Sequence, residues 1–147
     1  MVVLAFYKAK KTKLDKAICF FTRSKYSHVE MIVGPLNGTS GMSISSSGRN
    51  GGVKERKINF NPERWDIVEV PWGPDDAVNV LRGELDKPYD FFGILFSQFF
   101  NARLHSKSRW FCSEICAYGL NMSEPHRYSP GDLYLAIQER NLIYNRG

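Results

Sequence analysis

Within the stretch RWFCSEICAYGL, residues 109 to 120, Cys112 stands where an aromatic run meets the predicted start of a helix. The unpaired N–H groups and the dipole at a helix N-terminus favour an anion, so a cysteine there is disposed to ionise. The same N–H groups can hold the oxyanion that forms when a thiolate attacks a carbonyl. The competing reading is a small buried thiol that only packs. Cys116, one turn further along, and Cys19, in an amphipathic segment, read as packing residues. Three cysteines cannot all pair, and no zinc-type spacing of Cys and His is present, so reduced thiols are expected, with no metal and no cofactor.

A nucleophilic thiol needs a base, and the chain has three histidines, His28, His105 and His126. His105 falls in the polar connection NARLHSKSR and His126 follows Pro125 in a loop, whereas His28 opens the predicted strand YSHVEMIVG. A strand is the more rigid platform for a base. Alternation puts Glu30 on the same face as His28, as an auxiliary group. Residues two apart along a strand are about 7 Å apart at the backbone, so a partner for the imidazole is expected from the adjacent strand instead. MSISSSG is that strand, and it offers Ser43, Ser45 and Ser47 on one face.

These residues need a scaffold, and the pattern supplies an α+β one. MVVLAFY, YSHVEMIVG, MSISSSG, VKERKINF and WDIVEVPW read as strands, with LNGTSG and RNGG as turns. TKLDKAICFFTR reads as a helix with Leu14, Ala17, Ile18 and Phe21 at helical spacing. Residues 1 to 72 are thus expected to form one antiparallel sheet with a single early helix. The pattern then changes period. Helices are predicted around Ala77, Val80 and Leu81, over YDFFGILFSQFF, over the cysteine segment, and over SPGDLYLAIQERN, where Ser129 and Pro130 take the cap and first-turn positions. In the cysteine helix Ile115, Tyr118 and Phe111 are expected to face the core, with Gly119 as a stop.

The order of these pieces, SHVE early, SSSGRNGGV next, LDKPYDFFGI in the middle and WFCSEICA late, resembles the circularly permuted NlpC-type branch of the papain-like cysteine hydrolases. The chain is especially similar to small proteins of this branch from bacteria and their phages. In unpermuted members the cysteine helix precedes the histidine strand, and here that order is reversed. The resemblance covers roughly residues 2 to 137 and implies a circularly permuted papain-like fold over one domain, residues 1 to 147. It implies Cys112 as nucleophile, His28 as base and Ser45 as the third, His-orienting residue, where related proteins often carry an acid, an amide or a histidine. Tyr89 matches the tyrosine that lies near the nucleophile and helps bind the oxyanion, together with N–H groups around Cys112 and Ser113. Glu114 matches the C-S-E signature, and in the first helical turn it also has a simple role opposite the dipole. The implied activity is that of a thiol-dependent peptidase, amidase or acyl-ester hydrolase. The alternative is a catalytically weak or inactive binding protein on the same scaffold.

Composition narrows the remaining classes. Apolar residues make up 43% and aromatics 14% of 147 residues, a globular profile with room for one core. No apolar run approaches a bilayer span and the N-terminus has no secretion leader. A cytoplasmic location is therefore expected, or the host cytoplasm or a virion for a phage protein. The expected partner is a peptide or acyl substrate. Net charge is +5, in part from KAKKTKLDK, but no recognition helix or aromatic-interleaved RNA-binding strand accompanies it, so nucleic acid is not the expected partner.

Overall fold

The computed structural model describes residues 1–89 and 111–146. The predicted helix over YDFFGILFSQFF, apart from Tyr89, and His105 lie outside the described residues. The elements are β1 (Val2–Tyr7), α1 (Lys13–Thr22), β2 (His28–Asn37), β3 (Ser40–Ser47), β4 (Gly52–Asn59), β5 (Trp65–Val70), α2 (Ala77–Arg82), α3 (Cys112–Gly119) and α4 (Pro130–Tyr144). The fold is α+β. Its single five-stranded sheet runs β4-β3-β2-β1-β5, and every neighbouring pair is antiparallel. The helical second half packs its buried residues into the same core as Leu4, Phe6, Val29, Met31, Ile44 and Val53. A second cluster of Ala5, Ile32, Phe60 and Trp65 is built from the alternate positions along the strands.

Local chemistry explains the boundaries. Thr12 caps α1: its Oγ1 accepts from the Asp15 backbone N–H at 3.0 Å, while Asp15 Oδ2 accepts from Thr12 N at 2.8 Å. Ser129 and Asp132 repeat this box at the start of α4, with Pro130 at the first helical position. Gly83 ends α2 after six residues, its N–H reaching Asn79 O.

Three details differ from the sequence pattern. The strand expected to stop at Gly34-Pro35 continues to Asn37, with an irregular register between Val33 and Asn37 and Gly34 at φ 70°. Pairing with β1 has already ended at Leu4–Met31, so the missing N–H of Pro35 costs no bond on that side. Of the four α1 residues placed at helical spacing, only Ile18 is buried, alongside Cys19 and Asp15, and Leu14, Ala17 and Phe21 are exposed. Tyr118 is also exposed, at the outer side of α3. As expected, α3 ends at Gly119, which also lets α2 and β2 approach: a Cβ there would sit 2.2 Å from Leu81 Cδ1 and 3.2 Å from Met31 Cε.

Gly52 has the tightest constraint. Its φ is 130°, and a Cβ would lie 2.0 Å from the carbonyl oxygen of Lys87. That approach lets Val53 N donate to Lys87 O at 2.9 Å and Asp86 N donate to Val53 O at 3.0 Å, which clasps the segment leading to Tyr89 onto β4. Gly52→Ala is expected to destabilise the protein by more than about 1 kcal/mol, read as a lower denaturant midpoint at unchanged slope. An unchanged midpoint would remove this role for the clasp.

Candidate active site

His28 is the first residue of β2, and the chain leading into it is tied down on two sides. Ser27 N donates to Tyr7 O at 3.1 Å, and Ser27 Oγ donates to Asp15 Oδ1 of α1 at 2.9 Å. Just before it, the buried Tyr26 hydroxyl donates to Asp66 Oδ2 of β5 at 2.6 Å, and Lys8 and Lys25 reach the same carboxylate. Burial alone would raise the Asp66 pKa, but these three donors hold it down at about 2. The imidazole is half-buried, with its ring centroid 6.4 Å from that of Trp65.

Cys112 is the first residue of α3 and is fully buried. The first helical hydrogen bond runs from Ile115 N to Phe111 O at 3.0 Å, so the N–H groups of Cys112 and Ser113 have no acceptor within the helix. Glu114 Oε2 accepts from Phe111 N at 3.3 Å, which fixes the entry of the chain. Ser113 Oγ donates to Tyr128 O at 2.5 Å and joins α3 to the segment before α4. The Ser113 hydroxyl is thereby committed, and its backbone N–H has no acceptor within the helix.

The two halves of the site meet through the imidazole. His28 Nε2 lies 2.7 Å from Glu30 Oε1, and Cys112 stands near enough to the ring to act on its charge. Burial disfavours a charged imidazole, but the Cys112 thiolate charge and the hydrogen bonds to Cys112 and Glu30 outweigh it. The His28 pKa rises to about 10. Glu30 is fully buried and accepts two further bonds, from Arg56 Nη2 at 2.6 Å and from Ser43 Oγ at 2.9 Å. Burial would raise its pKa, yet His28 and Arg56 hold it below the usual carboxylate range. Cys116 differs in kind: burial first, then the negative charges of Cys112 and Glu30, push its thiol well up, which suits a packing residue.

No protein-family model, curated protein or solved structure matches the chain. The site is therefore read from its own geometry. Cys112, His28 and Glu30 adjoin one another, with the imidazole hydrogen bonded to the carboxylate and the thiol near enough to act on it as a charge. Ser45, the residue expected to orient the imidazole, does not take that place, because its hydroxyl donates to Val29 O at 2.6 Å. The orienting group is Glu30, two residues along the same strand, and the neighbouring strand contributes Ser43 to the carboxylate instead. Arg56 was missed by sequence reasoning. Its signal was the cross-strand pairing of VKERKINF with the serine strand, which places Arg56 opposite Ser43.

Tyr89 packs at the edge of the site, with its ring centroid 5.9 Å from Phe111, the residue before the thiol. A Cβ on Gly48 would be 3.2 Å from the same ring. His28, Glu30, Arg56 and Tyr89 line a cleft of about 580 Å³ together with Tyr7 and Trp65. His126 sits in the single turn Pro125–Arg127, which packs against α3. Among the described residues, no group of three or more His, Cys, Asp or Glu is arranged to hold a metal ion. No helix among them is long and apolar enough to cross a membrane.

Proposed function

We propose that the protein is a thiol-dependent hydrolase of the papain-like type in circularly permuted order, acting on a peptide, amide or acyl ester. The observation that carries this reading is the grouping of Cys112, His28 and Glu30, with the thiol at a helix N-terminus. Glu30 answers the need for a charge behind the imidazole, because a buried carboxylate stabilises the imidazolium and fixes its tautomer. In the reaction the Cys112 thiolate, its proton already held by His28, attacks the carbonyl carbon. The carbonyl oxygen takes the negative charge and accepts from the N–H groups of Cys112 and Ser113. His28 then protonates the departing amine or alcohol, leaving a Cys112 thioester. Water, deprotonated by His28, attacks the thioester and releases the acid with the thiol restored.

The direct test is incubation with a panel of acyl amides, esters and short peptides, followed by peptide mapping for an acyl adduct. An adduct confined to Cys112 supports the reading. One distributed over Cys19, Cys112 and Cys116, or none with any member of the panel, sinks it.

The second reading, a binding protein on the same scaffold, is favoured by one observation: Cys112 has no exposed surface. It predicts a ligand held in the His28 cleft with no covalent product, and the same mapping experiment separates the two.

A further inference from the structure

α1 carries two apolar stripes where a surface helix needs one. The inner stripe, Ile18 and Cys19 beside the capping Asp15, is buried. The outer one holds Leu14, Ala17 and Phe21 at i, i+3 and i+7, with Phe20 beside it, and all four are exposed. Phe20 keeps 76% of its surface in solvent and Phe21 41%, with their rings in edge-to-face contact at 5.2 Å. Around this stripe stand the exposed Lys10, Lys11, Lys13 and Lys16. The single acid between residues 8 and 25 is Asp15, which turns inward onto Thr12 and Ser27. Among the described residues, ion pairs engage Lys8 and Lys25 with Asp66 but none of those four lysines.

The outer face of α1 therefore presents apolar groups and cations with no exposed carboxylate. A helix surface of that kind lies in a lipid–water boundary, with its apolar stripe among the acyl chains and its lysines reaching the headgroups. A nucleic acid would use the cations but has no use for Leu14 and Ala17, which offer nothing to a base. We infer that α1 is a docking face for an anionic bilayer surface, entered by Leu14, Ala17, Phe20 and Phe21 and steered by Lys10, Lys11, Lys13 and Lys16. Thr12, Leu14 and Ile18 of the same helix line the His28 cleft, so docking sets the cleft mouth beside the bilayer. The inference goes beyond the hydrolase reading and does not depend on it.

Co-sedimentation of the full chain with phosphatidylcholine vesicles, with and without phosphatidylserine, tests it. Binding is expected only where phosphatidylserine is present. The exposed double variant Leu14→Ser with Phe20→Ser should bind at least about tenfold more weakly with an unchanged near-UV circular dichroism spectrum. Neutralising Lys13 and Lys16 to Gln should weaken binding about fivefold per lysine. Phe20→Trp should keep binding and shift its emission to the blue on vesicles. Cys112→Ala should bind as the wild type does, which separates this result from the fate of the hydrolase reading. The inference is overturned by wild type that ignores phosphatidylserine vesicles at low salt, or by a Leu14/Phe20 variant that binds them equally well. It is also overturned if single-stranded DNA is held more tightly than the vesicles at equal ionic strength and is released by the Phe20 change.

Discussion

His28→Gln is expected to slow the alkylation of Cys112 at pH 7 by about 100-fold, a typical loss on removing a positioned base. Glutamine fills much of the imidazole's space, so access to the thiol changes little, but it can neither take nor hold a proton. The sign of the pH dependence follows from the His28 pKa, raised from 6.5 to about 10. The imidazolium partner is fully present below the ordinary histidine value and is lost as pH rises through about 10. Wild type should lose the benefit of that partner only as pH rises through about 10. The variant, which has no such partner, should show no corresponding change in that range. Superimposable pH profiles for the two proteins would show that the imidazole does not govern the thiol.

The second large effect concerns stability. Glu30→Ala is expected to lower the unfolding free energy by about 3 to 5 kcal/mol, because it removes the shared counter-charge of His28 and Arg56 and leaves the Ser43 hydroxyl without its acceptor. Glu30→Gln keeps the shape, and as a neutral acceptor it should cost less while still lowering the His28 pKa. NMR titration of the His28 ring measures that shift directly. The same linkage makes stability pH-dependent. A group whose pKa is raised on folding stabilises the native state below its unfolded pKa, so the His28 contribution fades between about pH 6.5 and 10. Glu30 has the opposite sign: its pKa is lowered on folding, so its contribution is present above the ordinary carboxylate value and is lost in acid. Denaturation midpoints for Glu30→Ala equal to wild type would mean the buried carboxylate carries no net stabilisation.

The five strands and the capped helices were legible because each is written in local terms. Apolar, β-branched runs mark MVVLAFY and YSHVEMIVG, alternation marks VKERKINF, and Ser129-Pro130 announces α4 as cap and first-turn residues. The neighbourhood of Cys112 and His28 was legible from their elements and order. The orienting group was not. A backbone spacing of about 7 Å between His28 and Glu30 ignores the reach of two long side chains leaning toward each other along one face, and that reach brings Nε2 and Oε1 to 2.7 Å. Ser45 looked better placed because it stands on the adjacent strand, but a short hydroxyl finds the nearest acceptor, and that is Val29 O. The outward turn of Leu14, Ala17 and Phe21 was hidden for another reason. Periodicity identifies a helical face without saying which side of the helix the core takes, and α1 has apolar residues on both.

The order of the chain has a consequence for synthesis. The imidazole and its carboxylate leave the ribosome before the thiol, which arrives only with α3, after the whole sheet. Chains emerge N-terminus first, so a partly made protein holds a finished base with nothing to activate. Cys112 and His28 come together only once the helical half has closed over the sheet, and on the hydrolase reading proposed above an interrupted chain ending before Cys112 is chemically silent.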